Sequence, residues 1–322
     1  MRTVGIPMAR RRKGDPVSGW VALDKPVDLG STQAVGRVRR AFNAQKAGHA
    51  GTLDPLASGV LPVALGEASK TVPFMMEADK TYRFTIAWGV TTASYDREGA
   101  VIASSDVRPS ADAAAAALKA FVGEIEQIPP AFSAIKVDGE RAYDLARAGV
   151  DVVLQSRRVV IHRAEVVGAP DADHVELEID CGKGVYVRAI ARDLADMLGA
   201  CGHVSSLRRL RVGPFHADAA VTLAFVEQMC DRGAGSEVLL PVETALDDIP
   251  ALAVTTEDAF RLSQGRPILL LPRQVETLTA RLADPHGSGF ASRTVLAMHG
   301  GAPVSICEMR AGQLSPTRVF NL

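Results

Sequence analysis

Cysteine is scarce in this chain, and what there is lies scattered: Cys181, Cys201, Cys230 and Cys307. There is no C-x-x-C pair and no Cys/His cluster, which argues against a disulfide framework and against a metal centre. The expected compartment is the reducing cytoplasm. Long apolar runs are also missing. None reaches the roughly 18 residues that a membrane span needs, so no membrane role is expected. The N-terminal stretch MRTVGIPMARRRKGDP has basic residues but no apolar core after them, unlike a secretory signal. An excess of charge of either sign is absent too, with a formal net charge of −1, so bulk charge alone does not mark a nucleic-acid binder. What is there is an ordinary globular composition, 47% hydrophobic and 23% charged over 322 residues, enough for one large domain or two. The charges are uneven. Residues 1–54 hold ten Lys/Arg against four Asp, and Arg208, Arg209 and Arg211 form a second knot. Basic patches of this kind are either phosphate footprints or solvated surface.

The most informative stretch is KAGHAGTLDPLASGVLPV, residues 46–63. Gly48, Gly51 and Gly59 imply turns or close backbone approach. Asp54 precedes Pro55, which biases the aspartate towards extended backbone. The apolar run Leu56, Val60, Leu61, Val63 follows. The pattern is a carboxylate on a stiff loop whose tail enters the core, the arrangement that a reactive group requires. An isolated Asp-Pro would more often be a turn.

Taken in order, residues 1–16 read as a disordered basic tail. GWVALDKP, ending at Lys25-Pro26, reads as a short strand. STQAVGRVRRAFN, residues 31–43, is an amphipathic helix that Ser31 or Thr32 can cap. Its outer face carries Arg37 and Arg40, with Arg39 at the flank. TYRFTIAWGV, residues 81–90, alternates with Tyr82, Phe84, Ile86 and Trp88 on one face. Asp96 to Gly99 is a turn. Ser110 to Gly123 is an alanine-rich helix capped by Ser110 and closed at Gly123. Residues 158–166 and 174–180 are further strands. CGKGVYVRAIARDLADMLG, residues 181–199, is a turn leading into a helix that places Arg188 in its first turn. A cation there opposes the helix dipole, so a carboxylate such as Asp54 is expected to compensate it. From Pro241 the pattern weakens, Ile249-Pro250 is a plausible boundary, and Thr255 to Gln264 is a short capped helix. The pattern of residues 272–300 supports no reading.

Residues 48–61, GHAGTLDPLASGVL, resemble the signature G-H-x-G-T-L-D-P-x-A-x-G-V-L of the TruB family of tRNA pseudouridine synthases. The likeness continues through Lys25-Pro26, the K-x-Y of Lys80-Thr81-Tyr82, the K-G-x-Y-x-R of residues 183–188, and HVSSLRRLRVGPF, residues 203–215. It implies an α+β fold: a pseudouridine-synthase core with a mixed, largely antiparallel sheet flanked by helices. A small C-terminal PUA-like RNA-binding domain would follow at 250–322, after a catalytic domain at 17–249. The segment from about 128 to 150 resembles an insertion that grips an RNA stem-loop and orders on binding.

The resemblance also implies site roles. Asp54 would be the nucleophile, paired with Arg188 and supported by Tyr82, which packs against the target base. Tyr186 would line the uridine pocket and Leu207 would pack beside the base. Lys25 would lie near the cleft, and Arg208 and Arg209 near phosphate. His49 would fill the stack left by a flipped base. From the residues alone, Lys25 could equally be an exposed strand-end lysine and His49 a turn-stabilising histidine. Together these side chains supply one carboxylate, one guanidinium, two phenols and an apolar wall, which suits covalent chemistry by a carboxylate without any cofactor. The implied reaction isomerises uridine 55 in the tRNA T arm on a flipped-out base. Whether Asp54 attacks C6 or C1′, or abstracts a sugar proton, is open. The expected partner is tRNA alone, with no metal and no obligate protein partner, the enzyme acting as a monomer. A glycosidase would need two placed carboxylates, and a binding-only RNA chaperone would need none. Guide-RNA-dependent relatives share the core, but long lysine-rich tails are missing here.

Overall fold

The structure, a computed structural model, describes residues 14–133, 135–137, 139–148, 150, 152, 154–282 and 293–322. Most of the expected basic tail therefore lies outside the described residues, as do several positions of the 128–150 stretch. Residues 14–16 belong to the fold. The Asp15 N–H donates to the Asn43 carbonyl at 2.7 Å, and the Asp15 carbonyl accepts from Gln45 at 3.0 Å.

Strands β1 (Gly19–Lys25), β2 (Ala47–His49), β3 (Ala57–Leu65) and β4 (Lys80–Trp88) open the chain, with helices α1 (Ser31–Ala41) and α2 (Val72–Glu77) between them. A hairpin of β5 (Val90–Thr92) and β6 (Val101–Ser104) follows, then α3 (Ala111–Leu118) and β7 (Gly123–Gln127). The short pair β8 (Lys136–Val137) and β9 (Glu140–Arg141) precedes α4 (Ala142–Arg147). Next come β10 (Arg157–Asp171), β11 (His174–Cys181), α5 (Val187–Met197), β12 (Gly202–Val212), β13 (Phe215–His216), β14 (Val221–Thr222) and α6 (Leu223–Asp231). The main sheet runs β14-β1-β3-β12-β4-β11-β10-β7, with β13 on β12 and β2 on β3. Pairs β1/β14 and β3/β12 are parallel and the rest of this sheet antiparallel, which is the mixed, largely antiparallel α+β core that the family resemblance implies.

Local pattern explains most elements. On β4 the Tyr82, Phe84, Ile86 and Trp88 face is buried while Arg83 is exposed, as period-two spacing requires. On α5 the stripe Val187, Ile190, Ala191, Leu194 packs inward, and Gly199 closes the helix at φ +64°. Helices α1, α3, α5 and α6 cover this face of the sheet through Ala34, Val38, Leu118, Ile190, Leu194 and Val226. Two expected details differ. Helix α1 is entered from Gly30, and Ser31 is buried inside its first turn. Helix α3 ends at Leu118 and tightens into a 3₁₀ turn to Phe121, so Gly123 starts the next strand instead of closing the helix.

Residues 251–319 build a second sheet, β15 (Ala251–Ala253), β17 (Thr294–His299), β18 (Ala302–Arg310), β19 (Gln313–Val319) and β16 (Ile268–Leu269) in that spatial order. Helices α7 (Thr256–Ser263), capped by Thr255, and α8 (Pro272–Leu282) accompany it. It has its own small core around Leu262, Leu278, Val295 and Leu314. Leu296, Ile306 and Phe320 join a separate cluster with Trp20, Phe74 and Phe215 of the main sheet's other face.

Candidate active site

The loop between β2 and β3 carries Asp54, and buried side chains hold it on both flanks. Arg209, only 1% exposed, donates to the carbonyls of Gly51 at 3.0 Å, Thr52 at 3.5 Å and Val60 at 2.8 Å. The Ser31 hydroxyl donates to the Leu53 carbonyl at 2.7 Å and accepts the Leu53 N–H at 2.8 Å. Lys25, fully buried, donates to the carbonyls of Leu29 at 2.7 Å, Pro26 at 2.8 Å and Pro55 at 3.4 Å. Burial lowers the Lys25 ammonium to about 8, against the pull of nearby Asp54. The backbone around Asp54 is thus fixed while its side chain, 43% exposed, stays open to the cleft.

That side chain meets Arg188. Arg188 Nη2 lies 2.9 Å from Asp54 Oδ2 and donates to the Phe132 carbonyl at 2.8 Å. Nη1 lies 3.3 Å from Asp96 Oδ2 and donates to the Ser94 carbonyl at 3.0 Å. Two carboxylates and two carbonyls therefore hold one nearly buried guanidinium, which balances its position at the positive end of α5. Asp96 also accepts from the Ser94 hydroxyl and from the Glu98 N–H. It stands on a turn where Tyr95 adopts φ +58°, a left-handed conformation that is unusual for a bulky residue and collects at functional sites. The sequence pattern marks 96–99 as a turn. The only local signal was the Ser94-Asp96 spacing, and the partnership with Arg188 spans more than ninety residues.

A narrow cleft opens beside this pair, walled by Asp54, Leu56, Asp96, Arg188, Val204 and Leu207. It brings together Asp54, Arg188 and Leu207 of the expected set. Tyr82 stands opposite Arg209 on the neighbouring strand, and burial pushes its phenol up while Arg209 pulls it down. Tyr186 caps α5, with the Arg157 guanidinium 5.8 Å above its ring. His49 lies on β2, its Nδ1 buried without a hydrogen-bond partner, and burial lowers its imidazole, favouring the neutral ring.

One expectation for the basic residues needs correction. Arg209 is no phosphate contact: it points into the core and holds the loop from behind. Lys25 is buried beside Asp54 instead of exposed at a strand end, and its three hydrogen bonds go to carbonyls inside the fold. Arg208 faces the opposite side of the sheet and is held bidentately by Asp24 at 2.9 Å for both bonds, so its charge is partnered. On α1, Arg37 is likewise paired, with Glu227 at 2.7 Å.

The chain path matches solved structures closely. A Cbf5-Nop10-Gar1 complex aligns with TM-score 0.69 and 24% identity, covering 94% of this chain and 85% of that one. An archaeal box H/ACA sRNP Nop10-Cbf5 complex aligns with TM-score 0.68 and 21% identity, covering 98% and 93%. At these identities the likeness shows a shared fold. Residues 39–187 match the model of the TruB family pseudouridylate synthase N-terminal domain, and residues 188–247 that of the tRNA pseudouridylate synthase B C-terminal domain. The tRNA pseudouridine synthase B of Caulobacter sp. strain K31 is 65% identical over 315 residues, 98% of this chain and all of that protein. The protein of the same name from Rhodospirillum rubrum is 48% identical over 315 residues. This chain belongs to the TruB family of tRNA pseudouridine synthases, and is accordingly an isomerase.

Proposed function

We propose that this enzyme isomerises uridine 55 in the T arm of tRNA to pseudouridine, with Asp54 as the nucleophile on a base drawn out of its loop. The observation that supports this most is the Asp54–Arg188 pair at the cleft wall. The carboxylate is accessible, the backbone on both sides of it is braced, and a bidentate-capable guanidinium orients it. Asp96 is committed to Arg188, Ser94 and Glu98, so among the described residues the cleft offers no second carboxylate open for acid–base work, which disfavours two-carboxylate glycoside hydrolysis. Leu207 supplies an apolar surface for a uracil ring. Substrate and product are isomers, so the reaction consumes neither nucleotide nor reductant. The named relatives carry tRNA in their names over their whole length, which supports tRNA as substrate. In this reading the enzyme works in the cytoplasm, as a monomer and without a guide RNA. The 128–150 stretch grips the RNA stem-loop, and the 250–322 segment is a PUA-like RNA-binding domain.

The test is tritium release from a tRNA transcript labelled at C5 of uridine, comparing wild type with Asp54→Asn and Arg188→Lys. Wild type should release tritium at position 55. Asp54→Asn should release none while still binding tRNA. Arg188→Lys should lose about 10²-fold or more, since one ammonium cannot reproduce the fork that meets both carboxylates. Full turnover by Asp54→Asn would return that residue to the role of a turn former.

A further inference from the structure

Gln127 is the last residue of β7, where the chain leaves the sheet for the 128–150 stretch, and it is 1% exposed. A buried carboxamide has to satisfy a donor and an acceptor. Gln127 satisfies both on one residue. The Tyr186 N–H donates to Gln127 Oε1 at 2.8 Å, and Gln127 Nε2 donates to the Tyr186 carbonyl at 3.2 Å. Directly opposite Gln127 in the ladder stands Arg157, the first residue of β10, whose guanidinium lies 5.8 Å over the Tyr186 ring. The two facing strand ends therefore hold the same tyrosine, one by its backbone and the other by its ring.

Tyr186 is the residue that enters α5, and its side chain makes no capping bond to the first turn. Without such a bond, the direction of helix entry is fixed by whatever holds the Tyr186 backbone. Arg188 follows two residues later, with Asp54 on its Nη2.

We infer that Gln127 is a positioning residue for the reaction: its carboxamide sets the entry of α5, and through it the placement of Arg188 against Asp54. The inference rests on Asp54 and Arg188 being the reacting site. A displacement of about 1 Å in an orienting group costs on the order of 10²-fold in rate. At this reach the carboxamide presents a donor and an acceptor side by side at every pH. A glutamate at 127 would turn one bare oxygen towards the Tyr186 carbonyl. Protonated, it regains the O–H donor; burial raises the pH at which it protonates, against the pull of the Arg157 guanidinium on the facing strand end.

The experiment is single-turnover tritium release at saturating full-length enzyme, with wild type, Gln127→Leu and Gln127→Glu, alongside filter binding of the same tRNA. Gln127→Leu is expected to lower the rate about tenfold or more, with tRNA affinity within about twofold of wild type. Gln127→Glu should match that loss near pH 8.5 and recover relative to wild type towards about pH 6, as the acid regains its donor. A purely structural residue would lower stability without this pH-dependent ratio. Rates within twofold of wild type for Gln127→Leu, or a Gln127→Glu ratio flat with pH, would overturn the inference. If Gln127→Leu fails to fold, the Gln127→Glu profile decides alone. A wild type that releases no tritium would instead sink the proposed function, which keeps the two failures apart.

Discussion

Lys25 and Arg209 are braces in the structure, their donors bonded to backbone carbonyls of the Asp54 loop and of the turn packed beside it. Holding an ammonium in this place has a measurable consequence. The folded Lys25 loses its proton near pH 8, whereas an unfolded lysine does so near about 10.4. Between those values the unfolded chain binds more protons, so stability rises with pH. Below about pH 8 the fold carries the full cost of the buried charge, roughly 3 kcal/mol at most. Compared with Lys25→Met, wild type should therefore gain up to about 3 kcal/mol from pH 8 to 10.5, measured by urea unfolding at matched pH. The comparison cancels the opposite drift from Cys181, whose thiol is pushed by burial to about 12 while the unfolded thiol ionises earlier. A difference that does not change with pH would mean that Lys25 titrates as it does in the unfolded chain.

At the scale of elements, the site depends on a parallel junction between β3 and β12, where Gly59 pairs with Arg209. Gly59 has φ +100°, and a Cβ there would sit 2.2 Å from the Arg209 carbonyl oxygen. The strands approach so closely that the buried guanidinium can turn back to the loop carbonyls. Gly59→Ala should cost about 3 kcal/mol or more through strain and lost register, read as a lower urea midpoint with unchanged slope. An unchanged midpoint would show that the junction can yield. The signature glycines and the β4 alternation were readable in sequence because each depends on residues within one element. The face of Arg209 was not. Arg208, Arg209 and Arg211 look alike along the chain, and burial of one guanidinium becomes affordable only once carbonyls some 150 residues away surround it.

For the whole molecule, the C-terminal sheet packs onto the main one. Leu296, Ile306 and Phe320 complete a core with Trp20 and Phe215, and Lys70 donates to the Val319 carbonyl at 2.8 Å. Removing residues 250–322 should therefore lower thermal stability as well as tRNA affinity, since it uncovers the fully buried Trp20. Calorimetry of the truncated chain checks this. A melting temperature equal to wild type, with only affinity reduced, would show two independent units.

The sequence alone determined the Asp54 loop and the individual strands and helices, because these follow from short-range chemistry: glycines at strained turns, alternation on a strand, apolar stripes on a helix. The architecture of the core came from the family likeness of its motifs. Tertiary structure decided which cations face the cleft and which brace it from behind. It also brought Asp96 onto Arg188 and Gln127 onto Tyr186. Those partnerships join residues far apart in the chain, and a buried polar group finds its partner only when the packed fold removes water as the alternative.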